Sequence, residues 1–138
     1  MNTPTTTLRL RAPLRAGIAR IAKRTRRSFS EVTQELLEEA LRMRECPGIY
    51  FADEPGGREA KIGGTGLGVW EVMQDYITSG HDEKILRESF HWLSEAQIKA
   101  GLLYYRRYKK GIDDLVAEND AALREGIESG LVRPALGA

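Results

Sequence analysis

Apolar and polar side chains alternate near the amino terminus, in the stretch "TLRLR". Leu8 and Leu10 fall on one side, and Thr7, Arg9 and Arg11 fall on the other. This period of two predicts a half-buried β-strand. A lone strand leaves a row of backbone groups unpaired, and the residues that follow offer no partner strand nearby. The pattern therefore predicts that the partner comes from elsewhere.

Two helices are predicted after this strand. Pro13 suits the first position of a helix, since its missing amide proton has no acceptor there. The second helix begins at "SFSE", where Ser28 caps the amino terminus and Glu31 reaches back to close a capping box. Pro47 and Gly48 end this helix. The apolar stripes comprise Leu14, Ile18 and Ile21, then Val32, Leu36, Leu37, Ala40 and Leu41.

The pattern changes after these helices. Residues 49–62 read "IYF", a turn-rich "ADEPGG" and "REAKI", which predicts a short β-hairpin. Ser94 and Gln97 form a capping box for a helix that we expect to extend to Ala122, with Gly111 as its weak point. A shorter helix is predicted at "DEKILRESF". One more helical face comprises Val69, Val72, Met73, Tyr76 and Ile77.

The predicted fold class is mainly α, in three parts. A strand, helix, helix region covers residues 1–46, a small helical domain with a β-hairpin covers 47–122, and a loosely ordered tail covers 123–138. A chain of 138 residues divided in this way gives each part only a limited core. We therefore expect the chain to oligomerise.

The overall charge of +1 conceals a strong polarity. Residues 1–30 carry 8 basic and no acidic side chains, whereas residues 46–138 carry 11 basic and 15 acidic ones. A cationic end favours a partner with phosphate groups, either nucleic acid or an anionic membrane surface. The alternative is a basic face that is only solvated.

The cysteine content and the hydropathy of the sequence predict the cellular compartment of the protein. The single cysteine, Cys46, excludes a disulfide within the chain and suits a reducing compartment. The amino terminus carries no secretory apolar segment, and no apolar run reaches the roughly 18 residues that span a bilayer. We therefore expect a cytoplasmic protein without membrane association.

Residues 5–45 resemble the ribbon-helix-helix repressors, through "TLRLRAP" followed by "RRSFSEVTQELLEEAL". In that family a second copy of the chain supplies the missing strand, and the antiparallel ribbon enters the major groove. The resemblance implies an intermolecular two-stranded β-ribbon. Its predicted base-contacting residues are Thr7, Arg9 and Arg11. Arginine pairs with guanine O6 and N7, so Arg9 and Arg11 favour a site with G·C pairs.

Phosphate contacts are predicted at the turn between the two helices. Backbone amides at the start of a helix form an anion site that the helix dipole reinforces, and in the family this turn clamps a phosphate. The amides concerned belong to Ser28, Phe29 and Ser30. Nearby cations add attraction that is independent of base sequence, or are only solvated: Lys23, Arg24, Arg26 and Arg27.

Residues 47–120 resemble a small antitoxin domain associated with VapB-type antitoxins, which accompany PIN-like ribonuclease toxins. The similarity is carried by "GGTG", "VWEVM", "F-x-x-L-S" and "LLYYRRYK". Gly66 is a departure, since the family commonly has a basic residue after Gly-Thr. The resemblance implies a helical bundle of helix-turn-helix type.

Two clusters in this part have alternative interpretations. The helix after Ser94 is either a second DNA reader or a scaffold with a solvated basic end, at Arg106, Arg107, Lys109 and Lys110. Four aromatic residues either anchor the toxin or belong to the core: Trp92, Tyr104, Tyr105 and Tyr108. The acidic balance of this part favours a scaffold or a protein-docking role.

The sequence does not predict an enzyme. "GGTGLG" lacks the Gly-Lys-Ser/Thr ending of a P-loop and the spacing of a dinucleotide-binding motif. His81, His91 and Cys46 are too scattered for a metal site. Asp113 and Asp114 are adjacent on a helix and point in different directions. We therefore expect no catalytic residues, no cofactor and no metal.

These observations lead to one main hypothesis and two alternatives. The main hypothesis is a type II antitoxin that neutralises a PIN-like ribonuclease toxin and represses its own operon by binding operator DNA as a homodimer or a higher even oligomer. The first alternative is a stand-alone repressor whose second domain senses a ligand or sets the oligomeric state. The second is a protein of the membrane surface that uses the basic arm.

Overall fold

A computed structural model of the chain describes residues 3–131, which form six helices and one two-stranded antiparallel sheet. The chain divides into two compact units, residues 1–42 and 43–138. The predicted mainly α class is confirmed. The elements are α1 (Ala12–Thr25), α2 (Phe29–Glu45), β1 (Ile49–Glu54), β2 (Gly57–Ile62), α3 (Val69–Thr78), α4 (Glu83–Ser89), α5 (Glu95–Arg107) and α6 (Lys109–Glu128).

The amino-terminal unit has a very small core. Ile18 and Ala22 of α1 are buried with Val32 of α2, and Leu10 and Ile21 pack against them. Pro13 lies in the first turn of α1, as its fixed φ angle and missing amide favour. Most of the other apolar side chains of this unit are exposed: Leu8, Leu14, Leu36, Leu37 and Leu41.

The predicted hairpin is confirmed. Ile49 lies opposite Ile62, and Phe51 lies opposite Ala60, so the apolar residues of both strands share one face. That face packs on the core of the carboxy-terminal unit. The turn is closed by Gly57, whose φ of 123° is readily adopted only by glycine.

Helix α3 is the centre of the carboxy-terminal unit. It packs against α4, α5, α6 and β2, and its side chains Val69, Val72, Met73 and Tyr76 are buried. The capping box predicted for α5 is present, since Gln97 N donates to Ser94 Oγ at 3.1 Å and Ser94 N donates to Gln97 Oε1 at 2.8 Å. The loop before α3 is tied to this cap by a hydrogen bond from Gln97 Nε2 to Gly63 O.

The long helix predicted from Ser94 to Ala122 is two helices. The backbone breaks at Tyr108, with φ −125° and ψ 43°, rather than at Gly111. The Tyr108 ring lies 4.8 Å from that of Tyr104, and its hydroxyl donates to Glu45 at 2.5 Å. The hydrogen bond to Glu45, 63 residues away in the chain, holds the Tyr108 side chain at the break. Helix α6 then continues through Glu128, so the first residues of the predicted loose tail are helical.

One buried lysine ties the hairpin to the following loop. The Lys61 ammonium group donates to the Glu54 carboxylate and, at 3.2 Å, to the carbonyl oxygen of Gly66. The hydrogen bond to Glu54 raises the pKa of Lys61 above its ordinary value.

None of the helices within residues 3–131 combines the length and the hydropathy that crossing a bilayer requires.

Candidate nucleic-acid interface

The amino-terminal arm, residues 3–11, leads into α1 and lies outside the sheet of the single chain. Thr7, Arg9 and Arg11 are exposed, as expected for side chains that contact DNA bases. Leu10 packs on the small core, whereas Leu8 is 60% exposed. The predicted ribbon pairs the arms of two chains, so it stays a prediction here.

The turn between α1 and α2 is tightly wound. Arg26 ends α1 in the left-handed conformation, with φ 55° and ψ 42°. The Arg27 amide donates to Ala22 O at 3.0 Å, and this bond closes the end of α1. Only Arg26 and Arg27 therefore separate the end of α1 from Ser28.

Ser28 begins α2 as predicted, although with half of the expected capping box. Its Oγ accepts a 3.0 Å hydrogen bond from the Glu31 amide. The Glu31 carboxylate does not reach back to the Ser28 amide within the described residues. It lies 3.7 Å from Arg27 Nε instead.

The backbone amides predicted to contact a phosphate lie at the start of α2. The amides of Phe29 and Ser30 lie in its first turn, where an α-helix supplies no acceptors of its own. The Ser30 hydroxyl accepts from Gln34 Nε2 at 3.1 Å and keeps its own proton to donate. Amides at this end of a helix favour a phosphate oxygen as their partner.

The predicted phosphate-contacting cations fall into two groups. Lys23, Arg24 and Arg26 are exposed, and none of them forms an ion pair with another residue in 3–131. Arg27 is different, because its Nη1 donates to Glu35 Oε1 at 3.0 Å. Glu35 was not predicted to pair with Arg27, although Glu31 and Glu35 are spaced to share one helix face after Arg27.

Two further arginines of α1 were not predicted to contact DNA. Arg15 and Arg20 are exposed, and neither has a carboxylate partner in the described part of the chain. Arg20 and Arg24 also border an open groove of about 620 Å³. The apolar lining of this groove comprises Pro13, Leu14, Ile18, Ile21 and Leu36.

The second basic cluster, at the end of α5 and the start of α6, is compensated by acids. Each of its four cations lies near a carboxylate: Arg106 at 3.4 Å from Glu83, Arg107 at 3.5 Å from Glu45, Lys109 at 2.5 Å from Asp113 and Lys110 at 2.7 Å from Asp114. Paired cations attract phosphates weakly, because the partner acid repels them. This arrangement favours the scaffold interpretation of the cluster over a second DNA reader.

The four aromatic residues predicted either to bind the toxin or to form the core occupy different environments. Tyr104 and Tyr105 are core residues, and Tyr105 is only 2% exposed, so neither ring faces a partner in this conformation. Tyr108 is half-buried over the same core. Trp92 is 62% exposed in the turn between α4 and α5. Its ring lies 5.3 Å from that of Phe90.

The other residues considered in the sequence lie in a loop or in the core. Gly66 has a φ of 71° in the loop before α3, where Thr65 Oγ1 accepts from the Leu67 amide at 2.9 Å. Within residues 3–131, no group of three or more His, Cys, Asp or Glu side chains is arranged to hold a metal ion. Cys46 is fully buried.

Comparisons with known proteins found no match for the chain among protein-family models, curated proteins or solved structures. The resemblances described above therefore rest on the quoted motifs.

Proposed function

We propose that this protein is a dimeric DNA-binding repressor and the antitoxin of a type II toxin–antitoxin system. The observation that carries the proposal is the charge of the amino-terminal unit. Of the 8 cations among residues 1–30, only Arg27 forms an ion pair within the described part of the chain. Uncompensated cations on one small unit provide the attraction that nucleic-acid binding requires.

Dimerisation is supported by the exposed apolar side chains of the same unit. Leu8, Leu37 and Leu41 are 60%, 54% and 61% exposed, while the core of the unit contains few side chains. A unit of about 40 residues rarely buries enough apolar surface to be stable alone. A second copy that covers these leucines would enlarge the core and bring two arms together.

Base recognition is assigned to the paired arms. An antiparallel ribbon of two arms fits the major groove and directs one face of side chains at the base edges. Thr7, Arg9 and Arg11 are exposed and so are free to form that face. Phosphates would then lie at the α2 amides, with Lys23 and Arg24 nearby.

The DNA half of the proposal is tested by binding of the full chain to its own promoter DNA over a salt series. We expect Arg9→Ala/Arg11→Ala to lose specific binding and to keep salt-sensitive nonspecific binding. Lys99→Ala/Arg124→Ala is the matched control, since it removes two exposed cations from the other unit. Equal affinity of both variants for the promoter would overturn base readout by the arm.

The dimer is tested by sedimentation of the full chain. Leu37→Lys places a charge on the exposed apolar face and is expected to shift the protein to monomer, because a buried unpaired charge opposes association. Leu123→Lys on α6 replaces a leucine that is 47% exposed in the other unit and serves as the control. A Leu37→Lys protein that stays dimeric would exclude this face from the interface.

The antitoxin half rests on the resemblance of residues 47–120 and is supported by Trp92. Tryptophan is enriched among residues that dominate binding energy, and this one is exposed while its neighbour Leu93 is buried. The Leu93 amide donates to Phe90 O at 3.0 Å, so the turn that presents the ring is held in place. The expected partner is a PIN-like ribonuclease encoded beside this chain.

Co-purification with the product of the adjacent short reading frame tests this half. We expect a stable complex with the wild type that inhibits the ribonuclease, and weaker binding by Trp92→Ala. Leu123→Ala is the control for loss of an exposed apolar side chain from the same unit. If no complex forms while promoter binding persists, the protein is a stand-alone repressor.

A further inference from the structure

Arg27 differs from every other cation of the amino-terminal unit that was predicted to touch DNA. Its side chain is 33% exposed and lies over the first two turns of α2. Nη1 donates to Glu35 Oε1 at 3.0 Å, and Nε lies 3.7 Å from Glu31 Oε2. The hydrogen bond to Glu35 raises the pKa of the Arg27 guanidinium above its ordinary value.

A phosphate group would approach a guanidinium whose Nη1 already donates to Glu35 and whose Nε lies near Glu31. Glu31 and Glu35 would also repel the phosphate, so the net attraction at this position is small. Lys23, Arg24 and Arg26 have no such partners within residues 3–131 and remain available. Charge alone therefore does not explain an arginine at position 27.

The backbone and side chain of Arg27 contact two different helices. Its amide donates to Ala22 O at 3.0 Å at the end of α1, and its side chain holds Glu35 in the second turn of α2. Arg27 thus joins the end of one helix to the start of the next. Between these two attachments lie Ser28 and the amides of the proposed phosphate site.

We propose that Arg27 is a positioning residue: together with Glu35 it fixes the first turn of α2 so that the amides of Phe29 and Ser30 face a DNA phosphate, and it does not itself contact DNA. This inference rests on the proposed DNA-binding function. It makes Glu35, an acid beside the interface, a residue that helps the protein to bind a polyanion.

Glu35→Gln separates the two roles because they predict opposite signs. If Arg27 acts through Glu35, the substitution weakens promoter binding by about 3- to 10-fold, the loss expected when a charge-assisted hydrogen bond becomes a neutral one. If Arg27 contacts phosphate, removing the acid releases the guanidinium and tightens binding. Glu38→Gln is the matched control, since Glu38 lies on the same helix and pairs with Arg42. Tighter binding by Glu35→Gln alone would overturn the inference.

The salt dependence of binding gives a second readout that a purely structural residue would not change. Loss of one phosphate contact reduces the slope of log K against log salt by about 0.9. We expect Arg24→Gln to reduce the slope by that amount for each chain and Arg27→Gln to leave it unchanged while lowering affinity. A reduced slope for Arg27→Gln would assign it a phosphate contact.

Hydrogen exchange of the protein without DNA tests whether Arg27 and Glu35 hold the first turn of α2, independently of whether the protein binds DNA. The Glu31 amide, which donates to Ser28 Oγ, should exchange faster in Glu35→Gln and in Arg27→Gln than in the wild type or Glu38→Gln. If the wild type does not bind the promoter but this amide loses protection in both variants, the proposed function fails, whereas Arg27 and Glu35 still hold the first turn of α2. Unchanged protection in both variants would overturn the positioning role.

Discussion

The Tyr105 hydroxyl donates a 2.7 Å hydrogen bond to Asp113 Oδ1 and so joins α5 to α6 across the break at Tyr108. His81 Nε2 lies 3.3 Å from the same hydroxyl. The single phenolic proton points to Asp113, so a hydrogen bond between His81 Nε2 and the tyrosine oxygen requires the tautomer that is protonated on Nε2. The second oxygen of Asp113 accepts from Lys109 at 2.5 Å. The network connects α5, α6 and the loop between α3 and α4.

Tyr105→Phe is expected to lower the free energy of unfolding of the carboxy-terminal unit by about 1 kcal/mol. The ring packing is kept, while one hydrogen bond to a partly exposed carboxylate is lost. Urea unfolding followed by tryptophan fluorescence measures the change, since both tryptophans lie in this unit. Tyr50→Phe is the control, because the Tyr50 hydroxyl makes no hydrogen bond to another described residue. An equal loss in both variants would contradict the role of the network.

Acid should weaken the same unit through Asp113. Burial opposes ionisation of this carboxylate, but the hydrogen bonds from Lys109 and Tyr105 prevail and hold its pKa below the ordinary value. A lowered pKa in the folded state contributes stability that is present above about pH 4, the value in the unfolded chain, and is lost as pH falls further. Asp113→Asn should therefore be less stable than the wild type at pH 6.

The difference between these two proteins is expected to shrink from pH 6 to pH 3. Unfolding in urea at each pH measures it. Asp114→Asn is the control, because Asp114 pairs only with the exposed Lys110 within the described residues. A constant difference across this range would show that the Asp113 charge contributes nothing.

Local signals in the sequence explain which elements could be predicted. Turn residues and capping side chains lie next to the elements they specify, so the hairpin at 49–62 and the start of α5 at Ser94 were predicted correctly. The break at Tyr108 was not, because it depends on a contact with the distant Glu45. The partner of Arg27 was not predicted either, because Glu35 lies one helical turn beyond the capping motif. Pairing of the arms depends on a second chain.

Arg26→Gly should stabilise the amino-terminal unit by about 1 kcal/mol. Arg26 has a φ of 55°, and a residue with a Cβ atom is strained in this left-handed conformation, whereas glycine is not. Hydrogen exchange of α1 and α2 amides measures the change. Arg26→Ala removes the same charge and keeps the Cβ atom, so it isolates the backbone effect. Equal protection in the two variants would show that the conformation carries no strain.

Replacement by alanine is expected to have opposite effects on stability at two helical glycines, Gly101 and Gly111. A Cβ atom on Gly101 in α5 would lie 3.0 Å from Met73 Cε and 3.1 Å from Ile62 Cδ1, and both of these side chains are fully buried. A Cβ atom on Gly111 in α6 would meet no atom within 4 Å. Gly101→Ala should therefore destabilise the carboxy-terminal unit by about 1 kcal/mol through overpacking. Gly111→Ala should stabilise it by about 0.5–1 kcal/mol, because alanine favours the helix.

Each variant serves as the control for the other, since both gain one methyl group inside a helix. Urea unfolding followed by tryptophan fluorescence gives both values in one assay. If Gly101→Ala were also stabilising, Met73 and Ile62 would have to move aside at little cost, and the close approach of α5 to β2 and α3 would not require glycine. If Gly111→Ala were destabilising, helix α6 would need flexibility in its first turn.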